Sequence, residues 1–404
     1  MKTENKEKKT ITKHTLNFFY TKFFFFFNLV SGGQWPPPPP CPGLGPSLIS
    51  TTTYFTICQS PCRSDKHYRR SVIASLVKGV YILERDRQKN RQESQALAPP
   101  WWESFHFQLS QKLIDNKDLS IFGAIYEYKY PPSSSSSSRN IPHYVIAIRG
   151  TIIKRRTWSQ DFMLNFRCFF NELHQSSRFQ QAVEFLRKTV KSKGESSVWL
   201  AGHSLGSAMA LLAGKEMAKE GHLIETYLFN PPFFSALLES VIKDEQVKFG
   251  IHLATSLFKT GLAGLNFVVN GGQADPFAVL SPWVPYLFVN PDDPICSEYV
   301  GYFEQRKKME EKGVEIFEMV ATKNSTRNLC LSLLRRDSGS EPLHLLPSAD
   351  LTINRVQFPD IEGVVAAYKK FKRAHSLQQW WKIPFPHESM RYNYNTTNGV
   401  ECSS

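Results

Sequence analysis

Residues Val198–Gly214 read VWLAGHSLGSAMALLAG, and this stretch decides the fold. Val198–Ala201 is a short apolar run of strand type. Gly206, Ser207, Ala208 and Ala210 open a helix of small side chains over Leu205–Lys219, with Gly221 where a C-cap glycine is expected. Between them lies Gly202-His203-Ser204-Leu205-Gly206, a G-x-S-x-G pattern. The pattern alone is common. Placed between a strand and a helix, it is a nucleophile elbow. A turn that sharp strains the serine backbone, and the glycines let neighbouring elements approach. The helix N-terminus then turns free N–H groups and the positive end of its dipole toward the serine oxygen.

Outward from the elbow, strands and helices alternate. Tyr68–Lys89 has apolar residues at helical spacing, as does Phe179–Lys191. Phe122–Tyr130 and Tyr144–Ile148 flank a Pro- and Ser-rich loop (Ser133–Ser138) and fit an antiparallel pair. Thr226–Phe229 and Val284–Val289 read as strands, Glu298–Lys312 as a helix, and Leu343–Ile353 contains a strand. This order predicts an α/β fold with a mostly parallel central sheet and helices on both faces.

A serine needs a base and an orienting acid to become a nucleophile. In this fold they follow in the order Ser, acid, His. Asp292 and Asp293 stand at the C-terminal end of strand Val284–Val289, where open α/β sheets place their sites. Asp293 is favoured because Asp-Pro-Ile runs on toward a helix, and Asp292 is the alternative. For the base, His375 (KRAHSLQQWW) is favoured as a loop histidine preceding the last helix, with His344 (PLHLLPSAD) as the alternative. His203 points away from the nucleophile by elbow geometry and reads as structural. The oxyanion requires two donors. Leu205 N–H follows the nucleophile, and Thr151, after Arg149-Gly150 at a strand end, supplies the second.

The chain has 404 residues, 41% hydrophobic and 21% charged, which excludes collagen, coiled coil and wholly disordered proteins. Lys and Arg total 49 against 36 Asp and Glu, a net charge of +13, with a pI near 9.3. Residues 1–22 alone carry six Lys and two Glu. Five Phe (Phe23–Phe27) and five Pro (Pro36–Pro40) follow, a low-complexity composition that builds no packed core. The expected organisation is a disordered segment 1–64, a single catalytic domain 65–383 and a short tail 384–404. The remaining basic excess is moderate. It fits a lipid surface, and no nucleic-acid motif accompanies it.

Seven cysteines at wide spacings, with no C-x-x-C, predict reduced buried thiols rather than a disulfide framework or zinc site. No apolar run is long enough to span a bilayer. Phe23–Val30 follows a Lys-rich start like a signal-peptide core, but Lys22 abuts it and no small-x-small site precedes Trp35. The sequence therefore reads as intracellular, cytoplasmic or membrane-peripheral. The sequons at Asn324 and Asn395 matter only to a secreted form.

The run AIRGT at 147–151, Trp158-x-x-Asp161 and GHSLGSAMALLAG together resemble the fungal-type, class 3 lipases of the α/β-hydrolase superfamily. More closely, the chain is similar to a plant subgroup often labelled GDSL esterase/lipase, although it holds no Gly-Asp-Ser-Leu string. Leu83–Trp102, FNPPFF at 229–234, WVPYLFVNP at 283–291, EYVGYFEQRKKME at 298–310, HLLPSADLTIN at 344–354 and AHSLQQWW at 374–381 carry that similarity. It covers roughly Asp65 to Lys382. It implies a triad of Ser204, Asp293 and His375, oxyanion donors at Thr151 and Leu205, and acyl transfer with neither cofactor nor metal.

The expected substrate is a lipid or other hydrophobic ester. Phe233, Phe234 and the apolar stretch Phe249–Val269 read either as a cap over an acyl pocket or as a buried helix pair. Lys154, Arg155 and Arg156 read either as a contact with anionic headgroups or as a solvated charge run. Two other readings stand beside the esterase. One is a non-catalytic hydrolase-like binding protein, and the other is an acyltransferase or thioesterase.

Overall fold

The computed structural model describes residues 66–92, 95–97, 101–129, 141–152, 173–233, 279–312, 345–356, 364–381 and 386–394. The chain divides into two units, Met1–Cys62 and Arg63–Ser404, and every described residue belongs to the second. Readings at 1–64, Ser133–Ser138, Lys154–Arg156, Trp158, Asp161, Phe234, 249–269, Asn324, His344 and Asn395 lie outside the described residues. So do six of the cysteines, while Cys296 is a buried free thiol.

Helix α1 (Lys66–Gln88) comes first, followed by an eight-stranded sheet whose spatial order follows the sequence. The strands are β1 (Phe107–Ile114), β2 (Ile121–Tyr128), β3 (Tyr144–Ile148), β4 (Val198–His203), β5 (Glu225–Phe229), β6 (Tyr286–Val289), β7 (Ala349–Asn354) and β8 (His387–Tyr392). Strands β3 to β7 are parallel. Antiparallel pairs β1–β2, β2–β3 and β7–β8 close the two sides. The crossovers include α2 (Ser177–Lys193) before β4, α3 (Leu205–Lys219) before β5 and α4 (Glu298–Lys312) before β7. Helix α5 (Val364–Ala374) follows β7. This is the arrangement expected of an α/β-hydrolase fold.

Alternation along the strands sorts side chains onto two faces. Ile146, Ile148, Val198, Leu200, Leu228, Leu287, Val289, Leu351 and Ile353 share one buried cluster with Phe179, Val183 and Leu186 of α2, Leu211 of α3, and Tyr299 and Phe303 of α4. The opposite face is aromatic. Tyr227 stacks on Tyr286 and packs at a tilt against Trp199, and Phe229, Phe288 and Trp380 form a second group. Helix α1 covers this face, where Arg69 lies over the Trp199 ring and Leu76 O accepts from the Tyr126 hydroxyl. Burial on both faces explains why the parallel strands read as unbroken apolar runs.

Two strands depart from the sequence reading. β1 has three successive exposed residues and two register irregularities against β2, so no clean alternation marks it. β8 falls in the stretch read as a tail, yet it pairs residue by residue with β7 and extends the sheet past residue 383. Its one buried side chain is Tyr392, because an edge strand covered on one side needs little apolar content. Among the described residues, no helix is long and apolar enough to cross a membrane.

Candidate active site

Ser204 sits between β4 and α3 with φ 56° and ψ −125°. A non-glycine residue in this region stores on the order of 1–3 kcal/mol of strain. Packing around the turn holds it there. The Ser204 N–H donates to Phe229 O over 3.0 Å, and the N–H groups of Ser207 and Ala208, third and fourth in α3, return to Ser204 O. The glycines on either side are required by close backbone approach. A Cβ on Gly202 would lie 2.2 Å from Gly206 O, and one on Gly206 would lie 2.4 Å from Ile148 O. At its far end α3 stops at Gly221 (φ +89°). There the His222 N–H reaches Met217 O and the Gly221 N–H reaches Ala218 O, a Schellman closure.

Asp293 follows β6 and is fully buried. Its Oδ2 accepts from His375 Nδ1 at 2.8 Å, Asn230 Nδ2 at 2.6 Å and Cys296 Sγ at 3.3 Å. Its Oδ1 accepts from the Ile295 N–H. Burial pushes the Cys296 thiol well above its ordinary range, and the neighbouring Asp293 carboxylate adds to this, so the sulfur stays protonated and donates. Asp292 points elsewhere, pairing with Lys370 at 3.2 Å. Of the two aspartates, the fold brings only Asp293 to the histidine.

His375 is the residue immediately after α5, its N–H closing onto Phe371 O. The sequence placed it in a loop before a helix. Instead it follows one directly, and the helical element after it is the short 3-10 turn Leu377–Trp380. The Phe371 ring stacks on the imidazole at 5.2 Å. With Nδ1 donating to a carboxylate, Nε2 is the ring nitrogen that accepts in the neutral tautomer.

The side chain next to the serine is fully occupied. His203 Nε2 lies 2.8 Å from His375 O, and Nδ1 lies 2.7 Å from the Tyr81 hydroxyl. A carbonyl only accepts, so Nε2 carries the proton and Nδ1 accepts from Tyr81. Burial and the adjacent His375 hold His203 well below the usual imidazole range, and it stays neutral. Tyr81 Oη in turn accepts from the Gly150 N–H at 2.8 Å. Arg149 Nη1 holds Gly150 O at 2.7 Å, while its Nε donates to Ile121 O. Thr151 comes next in the chain and is exposed, whereas Leu205 is buried as the first residue of α3.

Several residues that the sequence reading did not single out complete the surroundings. Asn230 follows β5 and bridges Asp293, Ala374 O and the Trp380 indole N–H. Asn290 and Asn354 both donate to Gln379 Oε1, and Gln379 donates onward to Ser376 O. Asn230 and Asn290 each stand directly after a parallel strand, a placement that could have flagged them. Among the described residues, no group of three His, Cys, Asp or Glu side chains is arranged to hold a metal ion.

The family profile described as Lipase (class 3) matches residues 145–235, from β3 through the elbow to just past β5. An Arabidopsis thaliana protein named a GDSL esterase/lipase is 44% identical over 344 residues, covering 82% of this chain and 93% of its own length. Among solved structures, an esterase of Pyrobaculum calidifontis matches at 11% identity with a TM-score of 0.25, over 63% of this chain and 84% of its own. A thermostable carboxylesterase cloned from a metagenomic library matches at 14% identity with a TM-score of 0.25, over 65% and 96%. Those overlaps are too loose to bear on the fold, which rests on the strand order above. The identity to the Arabidopsis protein, over more than four fifths of this chain and most of its own, together with the matched profile, places this chain in the class 3 lipase family of carboxylic ester hydrolases.

Proposed function

We propose that the protein cleaves lipid or other hydrophobic carboxylic esters through an acyl-enzyme on Ser204. The observation that carries this reading is the buried Asp293–His375 hydrogen bond at the same carboxyl end of the sheet as a strained serine elbow. His375 Nε2 takes the Ser204 proton as Oγ attacks the ester carbonyl. The Leu205 N–H and Thr151 stabilise the oxyanion. The tetrahedral intermediate collapses, and His375 returns the proton to the leaving alcohol. Water then attacks the acyl-enzyme by the same route and releases the acid. Asp293 fixes the imidazole tautomer and stabilises the imidazolium. The family description supports an ester substrate, and a hydrophobic acyl group is the reading that follows from it.

The test is labelling with a fluorophosphonate probe, wild type against Ser204→Ala, alongside hydrolysis of p-nitrophenyl esters of increasing chain length. Label and turnover that both depend on Ser204, with kcat/KM rising with chain length, are expected. Turnover that survives Ser204→Ala would sink the acyl-enzyme.

A further inference from the structure

Helix α1 lies more than a hundred residues before the elbow in sequence, yet its Tyr81 hydroxyl sits among the site residues. A Cβ built on Gly150 would lie 2.9 Å from Tyr81 Oη, 2.8 Å from Ser204 Cβ and 2.8 Å from His203 O. The phenol oxygen and the serine Cβ therefore crowd the same side of the Gly150 Cα. From there hydrogen bonds run in one direction: Gly150 N–H to Tyr81 Oη, Tyr81 O–H to His203 Nδ1, and His203 Nε2–H to His375 O. Each donor has one acceptor, and the polarity is forced at both ends by a backbone N–H and a backbone carbonyl. The His203 and His375 rings lie 4.8 Å apart.

We propose that Tyr81 and His203 are positioning residues for ester hydrolysis, forming a bracket that sets the distance between the oxyanion loop and the base loop on either side of Ser204. This role rests on the acyl-enzyme reading. The bracket holds Gly150 from its N–H side while Arg149 holds its carbonyl, which fixes the peptide plane that presents Thr151. At the other end it fixes the main chain of His375, whose ring is fixed separately by Asp293. Neither residue touches the reacting atoms in this role. Small displacements of catalytic groups lower the rate on the order of 10²-fold, and substrate affinity is largely spared.

The experiment uses the full chain with soluble p-nitrophenyl butyrate. Tyr81→Phe and His203→Leu are each expected to lower kcat roughly 10- to 100-fold with KM within about threefold of wild type. His203→Gln, whose amide N–H can still reach His375 O, is expected to recover most of the loss. Because both residues act through one chain of bonds, the double variant Tyr81→Phe/His203→Leu should lose no more than the worse single variant. A Tyr81→Phe enzyme with kcat within twofold of wild type overturns the proposal, as does a double variant that loses the product of the two single effects. If Tyr81→Phe does not fold, the two His203 variants decide, and equal activity of the Gln and Leu forms overturns it. Activity surviving Ser204→Ala is a separate result, which removes the acyl-enzyme reading and leaves the bracket without a reaction to serve.

Discussion

Asn230 donates its side-chain amide to Asp293 Oδ2 over 2.6 Å from a backbone held at φ 46°. The same side chain accepts from the Trp380 indole N–H and donates to Ala374 O, the residue before His375. One buried amide thus ties the acid to the segment that carries the histidine. Asn230→Gly keeps the backbone comfortable and removes the amide. It leaves the indole N–H and a carboxylate oxygen each short of a partner, at about 1–3 kcal/mol apiece. A lower melting temperature and a fall in kcat are expected together. Asn230→Ala adds strain at positive φ and should melt lower still. Thermal melts of the two variants check the order.

Asp292 and Asp293 are neighbours in sequence with opposite surroundings. Asp293→Asn should lower kcat on the order of 10³- to 10⁴-fold, because the imidazole loses the partner that fixes its tautomer. Asp292→Asn removes only the contact with Lys370 on a partly exposed surface, and kcat should stay within about twofold. Steady-state kinetics on both variants tests the assignment, and equal losses would reverse it.

Gly202→Ala would drive a methyl to within 2.2 Å of Gly206 O, a backbone atom that cannot swing aside. The turn would have to open, displacing Ser204. Loss of soluble protein, or a folded protein that a fluorophosphonate no longer labels, is expected. Gly301→Ala, with no described atom beyond its chain neighbours and its own helix backbone within 4 Å of the added Cβ, is the control that should express and react normally.

Lys78 is half-buried in α1, and its pKa falls to about 8. Burial is the larger cause, followed by the like charges of Arg85 and Lys372. In the unfolded chain this lysine keeps its proton to its ordinary value of 10.5. Between those limits the unfolded state binds more protons, so this group's penalty to folding shrinks as pH rises and is largest below pH 8. Lys78→Met should therefore raise the melting temperature at pH 7, by an amount that diminishes toward pH 10. A gain that is constant across that range would contradict it.

The elbow was legible because its chemistry is local. Two glycines, a serine, a preceding strand and a small-residue helix are all written within Val198–Lys219. The parallel strands were legible because burial on both faces leaves continuous apolar runs. The edge strands β1 and β8 were not, since one solvated face lets Gln111, Lys112, Glu388 and Arg391 stand where apolar residues would have marked a strand. Tyr81, Asn230 and Gln379 were not legible for a different reason. Their partners lie far away in the chain, and their residue types are ordinary on any solvated surface. Asp293 and Asp292 share almost the same sequence surroundings, and only the fold turns one toward His375 and the other toward Lys370.

The bonds that close the site span great lengths of chain: 69 residues from Tyr81 to Gly150, 82 from Asp293 to His375 and 172 from His203 to His375. Large loops must close before such contacts contribute. Made from its N-terminus, the chain presents α1, the Gly150–Thr151 loop and the elbow long before His375 exists. On the roles proposed above, a ribosome-bound chain halted before residue 375 would carry Ser204 and lack its base, so no hydrolysis would begin before that residue is added.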